Sequence, residues 1–121
     1  MNDYPNKCTI VLFVIWFLSQ RLLPAKGVKQ ITTSDLKPML KDKQIQFIDV
    51  RTPMEYRSNH IRQFENIPLA ILSKEQGKLS KKNEVVVICQ SGTRSNTASK
   101  LLKKQGFQNV TNVKGGMLTW V

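Results

Sequence analysis

Two cysteines and one histidine in 121 residues leave little from which to build a metal centre. Cys8, Cys89 and His60 lie far apart in the sequence, with no ligand spacing between them, so neither a metal nor a cofactor is expected. Nor do the cysteines suggest a structural disulfide: Cys8 sits in an apolar run and Cys89 in a polar loop, as suits a reducing compartment. Aromatic residues make up only 7% of the chain and are not interleaved with cations, which argues against nucleic acid as a partner. Acidic residues are scarce as well, 8 Asp and Glu against 19 Lys and Arg, for a net charge of +11. Only Asp3, Lys7 and Arg21 precede residue 26, so the excess lies beyond it, as a solvated basic surface that would attract anionic headgroups and small anions. No internal repeat is visible, and the length allows one domain rather than a tandem pair.

What the chain does contain is a nest for a thiol. Val85-Val86-Val87-Ile88, apolar on consecutive residues, predicts a central parallel strand buried on both faces. It runs into Cys89-Gln90-Ser91-Gly92-Thr93-Arg94, and a helix is expected over residues 95–105. Gly92 lets the backbone curl, the amides of such a turn point inward, and the helix dipole adds positive charge. These surroundings stabilise a sulfur anion, which makes Cys89 a candidate nucleophile rather than a core residue that merely ends a strand. Arginine follows as C-x4-R, whereas cysteine phosphatases use C-x5-R to encircle a tetrahedral phosphate; Ser95 stands where that arginine would fall. The shorter ring suits a terminal sulfur atom on the thiolate. It therefore points to sulfur transfer through a Cys89 persulfide, with the loop amides and Arg94 placed to stabilise the outer sulfur's charge.

Three blocks in order resemble a single-domain rhodanese over about residues 31–120. They are Phe47-Ile48-Asp49-Val50-Arg51-Thr52-Pro53-Met54-Glu55-Tyr56 with His60-Ile61 and Asn66-Ile67-Pro68-Leu69; Cys89 to Ser95; and Gly115-Gly116-Met117-Leu118-Thr119-Trp120. The resemblance implies a sulfurtransferase in which Cys89 and Arg94 are catalytic. Gln90, Ser91, Gly92, Thr93 and Ser95 would bind substrate, and Asp49 and Arg51 would brace the site. It also implies a small anionic sulfur donor, thiosulfate or a persulfide, and a thiol or cyanide acceptor, a protein thiol included. The chain departs from the family pattern at Asn59, where a glycine is usual, at Arg62-Gln63-Phe64, which replaces a smaller turn, and at Ser91, where some members carry a cation for thiosulfate. Two other readings of the same residues are a rhodanese-like binding or regulatory module without turnover, and a phosphatase or arsenate reductase. His60 is expected to be structural, Trp120 to pack on the sheet, and Arg51 and Glu55, four apart, to form an ion pair or cap.

The N-terminus is a different material. Thr9-Ile10-Val11-Leu12-Phe13-Val14-Ile15-Trp16-Phe17-Leu18 is unbroken apolar sequence, and it predicts a single-pass transmembrane helix over about residues 8–23. That span is short of the about 20 residues usually needed, with Lys7 and Arg21 available to snorkel at its ends. A cleaved signal peptide is the rival reading, but no small-x-small site follows the apolar run. Arg21, Lys26 and Lys29 outnumber Lys7 across the segment, so the positive-inside rule places the domain on the cytoplasmic face of the cell membrane. The expected organisation is an anchor at 1–25 and a rhodanese-like domain at 26–121.

Within that domain the pattern alternates. Strands are expected at 28–31, 47–50, 66–69, 85–88 and 110–113, with helices at 33–40, capped from Thr33-Ser34-Asp35, then 53–58, 69–79 and 95–105, and a short one after Gly115-Gly116. Ala98, Leu101 and Leu102 form the inner stripe of the 95–105 helix, which Gly106 ends. This is an α/β fold with a parallel sheet of about five strands flanked by helices. In such a fold ligands bind at the carboxyl ends of the strands, where both Asp49 and Cys89 fall.

Overall fold

The computed structural model describes residues 6–22 and 25–121, the side chains of 20–22 excepted. A first helix, α1 (Lys7–Leu22), precedes a parallel sheet of five strands, β1 (Lys29–Ile31), β2 (Gln46–Asp49), β3 (Glu65–Asn66), β4 (Val85–Ile88) and β5 (Val110–Val113), in the order β1-β5-β4-β2-β3. Between and around the strands lie α2 (Thr33–Met39), α3 (Pro53–Ser58), α4 (Leu69–Glu75) and α5 (Thr93–Lys104), with 3-10 turns at Gln76–Lys78 and Gly116–Thr119.

The strand β4 is central and fully buried, as its run of branched apolar residues requires. Side chains alternate along it. Val85 and Val87 join Ile48, Leu72, Ala98, Leu102 and Phe107 in one core layer, while Val86 and Ile88 join Leu36, Phe47, Phe64 and Met117 in the other. The register sets Asp49 beside Ile88, so the chain leaves β2 and β4 at neighbouring points of one edge, with Arg51 and Cys89 just beyond.

Several boundaries differ from expectation for local reasons. The helix α5 starts at Thr93 rather than Ser95, because Gly92 takes a left-handed conformation (φ 102°) and turns the chain two residues earlier. The cap of α2 is Thr32, one residue before the predicted group. Its side chain accepts the Asp35 amide while Asp35 accepts the Thr32 amide, a reciprocal capping box. Pro38 lies in the last turn of α2, where its missing N–H removes a single backbone bond from a helix about to end. The third strand is two residues, not four, since Leu69 already opens α4 and donates its amide to Val50 O at 3.0 Å.

The transmembrane helix predicted over about 8–23 is the larger correction. The helix is sixteen residues long, Lys7–Leu22, and at 1.5 Å per residue it reaches about 24 Å against a hydrocarbon core of about 30 Å. Among the described residues no helix is long and apolar enough to cross a membrane. Residue 23 of the expected span and residues 1–5 and 24 of the expected anchor lie outside the described residues. Even so, α1 packs little: its large apolar residues between 10 and 18 are 44–67% exposed.

Gly116 ties the last turn to the end of β4. Met117 donates its amide to Cys89 O at 2.9 Å and Leu118 donates to Gln90 O at 3.0 Å. At Gly116 φ is +55°, and a Cβ there would stand 2.3 Å from Cys89 O and 2.8 Å from Gln90 O, all backbone atoms that cannot step aside. Gly116→Ala is therefore expected to cost about 2–4 kcal/mol through overpacking and backbone strain, read as a lower urea midpoint. An unchanged midpoint would mean that the turn does not press on the loop.

Candidate active site

Cys89 follows β4 at the carboxyl edge of the sheet and is fully buried. Its Sγ accepts the Gly92 amide at 3.0 Å, and the thiol lies 3.3 Å from Ser95 Oγ, to which it donates. Ser95 Oγ in turn donates to Gly92 O at 3.1 Å, closing a small ring of sulfur, hydroxyl and backbone. The left-handed Gly92 makes this possible; a Cβ there would sit 3.2 Å from the Gly115 amide. The loop is thus enclosed between the N-terminus of α5 and the 115–118 turn, with the positive end of the α5 dipole toward the sulfur. Ser91 and Thr93 are exposed, and the sulfur's hydrogen bonds are with the Gly92 amide, which donates to it, and Ser95 Oγ, which accepts from it.

Beneath the loop, Asp49 and Arg51 form a buried pair, their side chains 0% and 4% exposed. Asp49 accepts from Arg51 Nε at 3.1 Å, from Nη2 at 2.9 Å and from the Arg51 amide at 3.0 Å. Two further guanidinium donors go to Asn59 O at 2.6 Å and to Gln90 Oε1 at 3.2 Å. Every hydrogen bond matters here, because a buried pair left with one partner is destabilised by about 3–5 kcal/mol. Asn66 Nδ2 closes the support, donating to both Asp49 O and Arg51 O at 2.9 Å. Asn59, where a glycine is usual, sits in extended backbone (φ −169°) that any residue adopts, so the departure costs nothing in conformation. Phe64 of the altered turn is buried, its ring 5.2 Å from that of Phe47.

The ion pair expected between Arg51 and Glu55 is not formed. Arg51 is consumed by Asp49, and Glu55 instead clasps Arg94, with Nη1 donating to Oε1 at 2.6 Å and Nη2 to Oε2 at 2.9 Å. The alternative of a cap is what Glu55 also does: it accepts the Thr52 amide at 3.1 Å, completing the capping box of α3. Glu55 is the residue that spacing alone misassigned, and its signal was the Thr52-x-x-Glu55 cap, which fixes the carboxylate where α3 begins. The clasp raises the Arg94 guanidinium further above its ordinary value, first through the Glu55 hydrogen bond and also through the Cys89 sulfur nearby. His60 stands apart, its Nδ1 2.7 Å from Tyr56 O and its ring stacked on Tyr56 at 3.8 Å, in keeping with a structural role. Trp120 packs against the second core layer beneath the Lys37 ammonium, 5.5 Å from the ring centre.

Comparison with known proteins gives a consistent picture. Residues 32–121 match the rhodanese-like domain family. A putative sulfurtransferase of Bacillus subtilis, YtwF, is 38% identical over 94 residues, which cover 77% of this chain and 90% of that protein. A putative sulfur carrier protein of the same organism, YrkF, is 36% identical over 97 residues, but the chain spans only 52% of its length. Among solved structures, a rhodanese-like domain protein from Staphylococcus aureus superposes with a TM-score of 0.71 at 32% identity, covering 78% of this chain and 92% of that one.

The clasp has a pH signature. Hydrogen bonding to Arg94 is the main cause that lowers the Glu55 carboxyl from its ordinary 4.5 to about 2. A depressed carboxylate contributes stability that is present above the ordinary value and lost as pH falls through the folded one. The pair is about one-third exposed (36% and 33%), so after solvent screening it is worth about 1 kcal/mol or less. The stability difference between wild type and Glu55→Gln, from urea midpoints, should stay constant above about pH 5 and fade toward about pH 2. A difference that does not change with pH would remove the ion pair as its source.

Proposed function

The chain belongs to the rhodanese-like domain family, and from that premise we propose that it is a sulfurtransferase carrying sulfane sulfur on Cys89. The observation that carries this reading is the ring around Sγ, with the Gly92 amide at 3.0 Å and Ser95 Oγ at 3.3 Å, and with Arg94, held by Glu55, close enough to interact with the sulfur. The Cys89 thiolate attacks the sulfane sulfur of a donor, thiosulfate or a persulfide. The donor's sulfur–sulfur bond breaks, its electron pair leaves with sulfite or the donor thiolate, and Cys89 holds Cys-S-S⁻. An acceptor thiolate or cyanide then takes the outer sulfur, and the electron pair of the broken bond returns to Sγ. Transfer is thus between sulfurs, with no external oxidant. Amides aimed at the growing charge and the nearby Arg94 cation stabilise the persulfide anion, while Asp49 and Arg51 hold Gln90 and the loop base in place. The four-residue interval between Cys89 and Arg94 supports a sulfur substrate over a phosphoryl group.

We also propose, for residues 1–25, attachment to the cell membrane with the 26–121 domain on the cytoplasmic side. The exposed apolar run of α1, residues 10–18, supports attachment, and its sixteen residues favour shallow insertion over a span. Arg21, Lys26 and Lys29, which outnumber Lys7 on the other side, suit the anionic cytoplasmic leaflet.

Cys89→Ser should abolish thiosulfate-to-cyanide or persulfide-to-thiol transfer, whereas Cys8→Ser should leave it intact, because only Cys89 lies in an anion-stabilising loop. Wild-type protein that binds partners through this pocket but transfers no sulfur would establish the binding-module reading instead. The full chain should remain with membranes through high salt, which screens charge within a Debye length of about 10 Å at 0.1 M and below as salt rises but does not extract an inserted apolar helix. Release by salt would leave only electrostatic adhesion, and a shortened product outside the cytoplasm would establish a signal peptide.

A further inference from the structure

Two independent features turn the active-site face toward whatever holds α1. The first is the tether. Ala25 is buried (5% exposed) and donates its amide to Asn96 Oδ1, itself buried, at 3.0 Å. Asn96 lies in the first turn of α5, its amide bonded to Gly92 O at 3.0 Å, next to Ser95 at the Cys89 sulfur. Only two residues separate Leu22 from Ala25, so the end of α1 stands within about 11 Å of that anchoring point, whatever its direction. From there the chain passes along α5 to Gly27, where a Cβ would be 3.3 Å from Lys103 Cε near the helix's far end. It is therefore the loop end of α5 that the tether reaches first.

The second feature is where the domain shows apolar surface. Among the described residues beyond α1, the large exposed hydrophobic side chains are Met54 (72%), Ile71 (43%), Leu118 (68%) and the last residue, Val121. Met54 is in the first turn of α3 and Ile71 in the first turn of α4, helices that begin beyond the carboxyl ends of β2 and β3. Leu118 is in the turn bonded to Gln90 O. All three stand at the edge of the sheet that carries Cys89, and exposed Lys114, directly after β5, adds positive charge there.

We propose that this edge rests on the anionic bilayer surface that receives α1, with Met54, Ile71 and Leu118 seated among the headgroups. The loop that holds Cys89 then faces the bilayer surface. The inference rests on the membrane attachment proposed above and extends it to an orientation.

Hydrogen exchange of the full chain, with and without vesicles of phosphatidylcholine and phosphatidylglycerol, tests the orientation without relying on activity. Co-sedimentation is measured in parallel. Bound protein should gain protection in peptides covering 52–56, 69–72 and 114–118, and none at the opposite edge, 41–45 and 80–84. Met54→Asp combined with Leu118→Asp should lose that protection while still co-sedimenting through α1. Bound wild type with no added protection at these peptides, or protection at the opposite edge, would overturn the orientation while leaving attachment standing. Failure to co-sediment would overturn both. Protection that survives the double substitution would remove the apolar contact as its cause and with it the proposed seat.

Discussion

The absence of a side chain at Gly116 lets the last turn of the domain lie directly on the backbone of Cys89 and Gln90. Two amides of that turn occupy the carbonyls of those residues at 2.9 and 3.0 Å, so the strand end cannot relax outward. With the outer wall held, Gly92 makes its left-handed turn against Gly115, the Gly92 amide reaches the sulfur, and α5 begins at once with its positive end toward the thiol. The third block of the sequence therefore acts on the second through backbone contact, with none of its side chains bonded to the sulfur.

Charge is organised in two tiers around that loop. The lower tier is buried: Arg51 is held by Asp49 and shared with Gln90 and Asn59, so a costly desolvated pair becomes the means of fixing the loop's first residue. The upper tier is partly exposed, where Glu55 holds Arg94 and is itself held by the Thr52 cap. Such a clasp adds little to stability, but it restricts where a long cationic side chain beside Cys89 can go.

Much of this was legible in the order of residues. The run Val85 to Ile88, apolar on both alternating faces, admits only a covered central strand, and the structure has it between β2 and β5. The places of Cys89 and Asp49 at the carboxyl edge followed from the alternation of strands and helices. Pairing was harder to read. Arg51 and Glu55 are four apart, but Arg51 precedes the Thr52 cap and so is outside the helix in which that spacing brings side chains together. The start of α5 depended on a positive φ at Gly92, which permits a turn without saying where it falls. In α1 both composition and length were readable, since the expected span of about 8–23 and the observed helix are each sixteen residues; the misreading was to take a helix of that length as spanning.

The persulfide on Cys89 is the central claim, and it leaves a direct trace in mass. Purified full-length protein incubated with a sulfane sulfur donor, desalted and measured intact and after digestion, should carry the mass of one added sulfur atom on the peptide containing Cys89. That sulfur should disappear on adding an excess of acceptor thiol. Unmodified Cys89 after exposure to both thiosulfate and a persulfide donor, or a stable added sulfur found on Cys8 instead, would contradict the account.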